Sequence, residues 1–313
     1  THPTHGIRGP PEGSGPTVGP VRDAARPMRL RRIGSMPPVA LTFTLDLEDH
    51  RPSDRVAQRY PMLVRRLLGW LAAREIRATV FVVGQVADDH PELLADVAAA
   101  GHEIGLHGWT HEPLPELGPD RFLADTAKGK ERLEAVTGAE VVGYRAPIFS
   151  LVPASRWAPE LLCSLGFTYS SSVLPAPNPQ YGWAGAPTRP FRWPCGLVEL
   201  PAPIGGAGRF RAPALGGAYV RILPWQVVRR THRRQPDAAV PWTYCHPYDF
   251  DPDEPFWIVP EVGRVGSRLI WFNRKNMLLR LGRLFADGAG PPLRERIRPL
   301  HDEIPTFRSE MAV

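Results

Sequence analysis

Four short apolar runs, 39–45 (VALTFTL), 78–84 (ATVFVVG), 102–107 (HEIGLH) and 139–145 (AEVVGYR), alternate with three stretches of helical spacing. The first of these, Tyr60–Glu75, repeats Leu63, Leu67, Leu68 and Leu71 at intervals of three and four; the others cover 90–101, closed by Gly101, and Asp120–Val136. Short apolar runs fit strands, and apolar residues recurring every three to four fit helices. Strict alternation of the two leaves few folds, because neighbouring parallel strands need a crossover, most often a helix. The class expected is α/β, as a parallel sheet or (β/α) barrel. In a barrel the loops after the strands gather at one end, and catalytic groups belong there.

The remaining chain is read around that frame. Residues 1–36 are rich in Pro, Gly, His and Arg without a hydrophobic period, and are expected to form a disordered leader. The folded body is expected over 37–286 with a Pro/Gly-rich insertion near 174–217, whose short strands lie around 196–203. A helix at 224–234, a strand at 239–246, a helix at 263–286 and a loosely packed tail at 287–313 follow. No apolar run approaches the roughly 18 residues of a membrane span, and no basic-then-apolar signal opens the chain, so a cytoplasmic protein is expected. The net charge is +6, but only three of 38 basic residues are Lys. The tightest cluster, Arg229, Arg230, Arg233 and Arg234, reads as a solvated helix face, and no nucleic-acid partner is expected. Cys163, Cys195 and Cys245 are odd in number and lack a Cys-x-x-Cys pair, so reduced thiols are expected. Nothing in the sequence bears on oligomeric state.

Chemistry concentrates at the ends of the strands. Asp46, Glu48 and Asp49 follow the first run; acids so close repel one another unless a cation or a proton relieves them. His107 and His111, four apart after the third run, can reach one point across a turn. Two imidazoles with one carboxylate suit Zn²⁺ or another first-row divalent ion. Arg145 ends the fourth run before Pro147, and His246 ends the late strand. Taken singly, each reads as readily as a solvated acid, a core histidine or a capping arginine.

In this order the residues resemble the polysaccharide deacetylases with a NodB-homology domain, across roughly 39–250. The match is most specific over 78–111, followed by Arg-x-Pro at 145–147 and the late His246. "TLDLED" and "HPYDFDPDEP" (246–255) look like a subgroup with an Asp-x-Glu-Asp first motif and a C-terminal extension. The resemblance implies a distorted (β/α) barrel and hydrolysis of an N-acetyl group from an amino sugar: a polysaccharide, a cell-wall or lipid-linked precursor, or a glycosylated metabolite. It implies His107, His111 and a first-motif carboxylate as ligands of a divalent metal, Zn²⁺ first. Asp49 is preferred for that carboxylate, as the counterpart of the second of the family's paired acids, with Glu48 as the alternative. Asp46 would be the base, Arg145 its partner and His246 the acid, with an amide near Ile148, after Pro147, supporting the oxyanion. Trp109 is the aromatic expected to line the substrate cleft. Tyr181, Trp183, Trp193, Tyr219 and Trp242 suit either sugar stacking or the core. Ser170 stands where relatives carry an Asp that partners the arginine. The alternatives are another C–N amide hydrolase of the allantoinase-like type and a sugar-binding pseudoenzyme.

Overall fold

Alternation within the first apolar run decides which way the sheet faces. In the computed structural model, which describes residues 39–206, 211–236, 239–260, 262–300 and 304–307, that run forms β1 (Thr44–Leu47). The leader expected over 1–36 lies outside the described residues. Side chains alternate along a strand: Leu45 and Leu47 join the core cluster that holds Val64, Leu67 and Leu71 of α1 (Tyr60–Ala72), whereas Thr44 and Asp46 both hydrogen-bond Arg145. Burying each of those α1 side chains stabilises the fold by about 1.5–3 kcal/mol.

The rhythm continues through β2 (Thr79–Val82), α2 (Val86–Asp89), α3 (Pro91–Ala99), β3 (Glu103–Leu106), α4 (Leu114–Thr137), β4 (Gly143–Tyr144), α5 (Ala158–Ser164) and β5 (Tyr169–Ser170). Proline at the first turn of α3 fits where a free N–H is not needed, and Gly138, left-handed at φ 65°, ends α4. Then come β6 (Phe191–Arg192), β7 (Val198–Glu199), α6 (Gly217–Ile222), α7 (Trp225–Arg233), α8 (Gly263–Trp271), α9 (Met277–Leu284) and α10 (Leu293–Ile297).

The sheet order is β1-β2-β3-β4-β5-β7-β6, parallel except for β6 against β7. Residues 241–245 run along the other side of β1 through bridges Thr42↔Trp242 and Leu45↔Cys245. No ladder among the described residues joins that segment to β6, so the curved sheet is a distorted, open (β/α) barrel.

Three expectations are corrected. The stretch read as an insertion, 174–217, supplies β7 within the short strands expected around 196–203, but β7 pairs with β5 as a member of the main sheet. The helix expected over 263–286 is two, α8 and α9, parted at Asn273, whose φ of 59° is left-handed. The tail is not loose over 287–300. Leu293 and Ile297 are buried in one cluster with Phe81, Tyr169 and Trp242, and the Leu293 N–H donates to Thr79 Oγ1 at 2.9 Å. The Arg294 N–H donates to Glu103, so α10 seals the barrel at the start of its strands. Glu103 also accepts from Thr79 and Tyr169, and burial pushes its carboxyl up.

All three cysteines are free, in keeping with the expected reduced thiols, but two of them lie close together. Cys163 on α5 and Cys195 in the β6–β7 turn bring their Sγ atoms to 2.6 Å, inside the contact distance of unbonded sulfurs, while Cys245 is buried elsewhere. Protein purified under air is expected to contain one thiol when denatured, and three after reduction, in a thiol titration. Closing a loop between residues 32 apart would stabilise the chain by about 3–4 kcal/mol. Three thiols before reduction would show the pair unbonded.

Candidate metal and acid-base site

β1, β2 and β3 pair in register, from Thr44↔Thr79↔Glu103 to Leu47↔Val82↔Leu106, so the residues just past their ends share one level. Glu48 and His107 stand there, and the Arg145 N–H donates to the Leu106 carbonyl, bringing the fourth strand end alongside. The backbone is forced where the site turns. His111 (φ 61°) and Ile148 (φ 54°) are both left-handed without being glycine, a conformation that is held only when the surroundings demand it.

Arg145 is fully buried. Its Nη1 donates to Asp46 Oδ1 at 2.5 Å and Thr44 Oγ1 at 2.8 Å, and Nη2 donates to Ser171 Oγ at 2.8 Å. The rings of Phe81 and Trp242 lie 4.0 and 4.2 Å from the guanidinium carbon. Trp242 is therefore core, and so are Trp183 and Trp193, which pack on Phe307. Tyr181 reaches Glu116 at the surface, and Tyr219 is half-buried. Ser170 does not touch Arg145; it donates to Ser172 Oγ, and the arginine takes its hydroxyl partner from Ser171 instead.

Asp46 Oδ2 faces inward, 4.0 Å from His107 Nε2 and 3.9 Å from His246 Nε2. The His107 Nδ1–H donates to the Arg145 carbonyl at 2.8 Å, which fixes the tautomer and leaves Nε2 as a lone-pair donor. Burial drives the His107 pKa down to about 4, against the pull of Asp46. Glu48 Oε2 lies 2.6 Å from His111 Nε2. His111 is raised, since Glu48 outweighs its burial, and Glu48 is held far below the carboxylate range, its own burial overcome by His111.

Glu48, His107 and His111 each offer one ligand atom, all within 4.8 Å of one another. Glu48 Oε2 is buried without an aligned hydrogen bond and lies 2.6 Å from His111 Nε2, so a carboxylate oxygen and an imidazole nitrogen share one point. A neutral buried imidazole, a second imidazole and an ionised carboxylate fit a divalent ion of the zinc type.

Asp49, the carboxylate preferred from the sequence, is elsewhere. Its Oδ2 pairs with Arg51 Nε at 2.6 Å and accepts from Gln58, in a neighbouring cleft. The reason is the strand period: Asp46 and Glu48, two apart, continue on one face, and Asp49 falls on the other. Trp109 is corrected too. It is 9% exposed, wedged against Gly84 and under Lys128 Nζ at 3.8 Å, so it anchors the 107–111 loop and does not line the cleft. Pro147 packs on Gly108, and the Ile148 amide has no acceptor among the described residues.

Two residues were not legible from the motifs. Asp249 Oδ2 lies 3.3 Å from His246 Nδ1 and accepts the His246 backbone N–H at 2.9 Å, while Oδ1 accepts from Arg221 Nη2 at 2.6 Å. Asp249 and Arg221 are both dry, and a Cβ on Gly217 would meet Asp249 Oδ2 at 2.0 Å, so this approach requires glycine. Burial opposes a charge on His246, but Asp249, Glu48 and Asp46 raise its pKa to about 9. The only local signal was an acid three residues after the late histidine.

The family described as "Polysaccharide deacetylase" matches residues 36–169, and one described as a domain of unknown function (DUF3473) matches 171–289. The chain is similar to the peptidoglycan deacetylase of Helicobacter pylori, 30% identical over 111 residues, 36% of this chain and 37% of that protein. It is also similar to the peptidoglycan-N-acetylglucosamine deacetylase of Bacillus cereus, 27% identical over 96 residues, 30% of this chain and 35% of that one. The chain thus spans about a third of the length of the curated relatives it matches. A solved structure from Mycobacterium smegmatis, assigned to the polysaccharide deacetylases, superposes with a TM-score of 0.56 at 25% identity over 88% of this chain and 96% of that one.

Proposed function

We propose that this chain, whose residues 36–169 match the family described as "Polysaccharide deacetylase", is a metal-dependent hydrolase that removes the N-acetyl group from an amino sugar. The sugar belongs to a polysaccharide, a cell-wall or lipid-linked precursor, or a glycosylated metabolite. The observation that supports the reading is the meeting of Asp46, Glu48, His107, Arg145 and His246 from separate strand ends within 4.0 Å contacts, with His111 on Glu48.

In this reading Glu48, His107 and His111 hold the ion, assigned as Zn²⁺ from the mixed N/O donor set. When bound, it supplies Lewis acidity to the amide carbonyl and acidity to an attacking water. Arg145 holds Asp46 by Oδ1 and leaves Oδ2 turned into the cleft, where it takes the water's proton. The developing oxyanion also has the unspent Ile148 amide as a donor. His246, charged through Asp249, presents Nε2–H to the leaving nitrogen. Protonation turns an amide anion, which does not leave, into an amine, which does.

The test is acetate release with matching free amine from N-acetylated glucosamine oligomers by metal-loaded protein. No release from any N-acetylated sugar by protein shown to hold its metal would overturn the proposal. The pH profile carries a second expectation. His246 acts while protonated, so kcat/KM is retained below its pKa and falls as pH rises through it. Asp249→Asn removes the charge that raises this pKa, and should move the alkaline limb to lower pH by about one unit or more. An unmoved limb would assign the acid to another group.

A further inference from the structure

Six of the eleven large apolar side chains that stand exposed among the described residues fall within 256–272: Phe256, Ile258, Val262, Val265, Leu269 and Phe272. They form one protrusion. Phe256 packs edge-on against Trp271 at 5.2 Å, and the Val259 N–H donates to Ser267 Oγ, so the 256–260 loop is strapped to the inner side of α8. Ser267 is the buried residue of that helix, while Val262, Val265 and Leu269, spaced three and four apart, make a stripe on the outer side. Val265 is 73% exposed. A soluble helix turns such a stripe inward; α8 turns it out.

The charge beside the stripe has one sign. Arg264, Arg268 and Lys275 are exposed and have no carboxylate partner among the described residues. From Val262 to Ala286 the sequence has no acid; Asp253 and Glu261 precede it. Such a surface opposes docking of a second copy, which would bring basic flank against basic flank. An apolar stripe edged by Arg and Lys is the composition of helices that lie in the interface of a lipid bilayer.

We propose that the 256–272 protrusion docks the protein on a bilayer bearing anionic headgroups: the apolar stripe enters the interface, and Arg264, Arg268 and Lys275 meet phosphates. The protrusion is joined to the candidate site by rings. Trp271 lies 5.6 Å from His50, His50 lies 4.3 Å from Tyr248, and Tyr248 stacks on His246 at 4.8 Å. Docking therefore holds the open end of the barrel close to the lipid surface.

The test is co-sedimentation of the full chain with vesicles of phosphatidylcholine alone or mixed with phosphatidylglycerol at low salt. Binding to the mixed vesicles is expected to be stronger by on the order of a hundredfold, from three basic side chains at the surface. Val265→Asp with Leu269→Asp should cut that binding at least about tenfold. Arg264→Glu with Arg268→Glu should remove the preference for phosphatidylglycerol. Thermal unfolding should not change in either variant, because all four positions are exposed. No vesicle binding by the unaltered chain, or binding that both variants retain, would overturn the proposal. So would a concentration-dependent dimer, abolished by Val265→Asp with Leu269→Asp, in a chain that ignores vesicles.

Discussion

Glu48→Gln is expected to lower metal affinity by at least about a hundredfold, whereas Asp49→Asn leaves metal content and turnover close to those of the unaltered chain. The floor comes from partners one shell out, whose loss already costs tenfold to a hundredfold; a direct ligand should cost more. Glutamine keeps the shape of Glu48 but removes the charge that places Oε2 against His111 and raises that imidazole. Asp49 has its needs met by Arg51 and Gln58. Zinc titration calorimetry, with metal analysis after dialysis, reads both variants without relying on turnover. Metal lost from Asp49→Asn and kept by Glu48→Gln would reverse the assignment.

Arg145→Met is expected to destabilise the fold by about 3–5 kcal/mol, because it strands Asp46 as an unpaired charge out of water. Solvent cannot take the place of the guanidinium at Oδ1: that side is enclosed by Phe81, Trp242 and Ser171, and Asp46 is only 3% exposed. Asp46→Asn keeps the shape of the acid and is expected to lose about 10²–10⁴ in kcat as the base is removed. The double change Arg145→Met with Asp46→Leu separates the two roles. Removing both charges should recover much of the stability, since a buried ion pair can be replaced by apolar groups at little cost, yet activity should stay lost. Urea unfolding midpoints and acetate release measure the two arms. A single Arg145→Met variant as stable as the unaltered chain would contradict the buried-pair account.

Much of the site was readable because its parts lie at strand ends, and strand ends are marked locally. The apolar runs before Asp46, His107, Arg145 and His246 each stop where the polar residue stands. Glu48 was readable too: counting two from Asp46 along an extended strand puts it on the interior face, a stronger argument than motif alignment. Trp109 misled because an aromatic beside two ligand histidines suggests a substrate wall, whereas Gly84, 25 positions earlier, leaves the hollow that it fills.

Asp249 and Arg221 belong to a different kind of information. Arg221 sits in an apolar helix, GAYVRI, where one arginine usually reaches solvent; here it is dry and holds Asp249 from 28 residues away. Likewise, 287–300 reads as a polar, Pro-rich tail, and only its docking beneath Thr79 and Glu103 makes Leu293 and Ile297 part of the barrel core.

The sequence by itself determined the α/β class, the strands and the three longer helices through residue 145 without α2, and the acid and imidazole pair at their ends. Those follow from periodicity and spacing within one or two turns of chain. Tertiary structure alone decided that Asp249 and Arg221 stand behind His246, that two cysteines meet, and that α8 turns its apolar side out. Each of these depends on which distant segments are packed together, and that is set by the burial of the whole chain rather than by any local pattern.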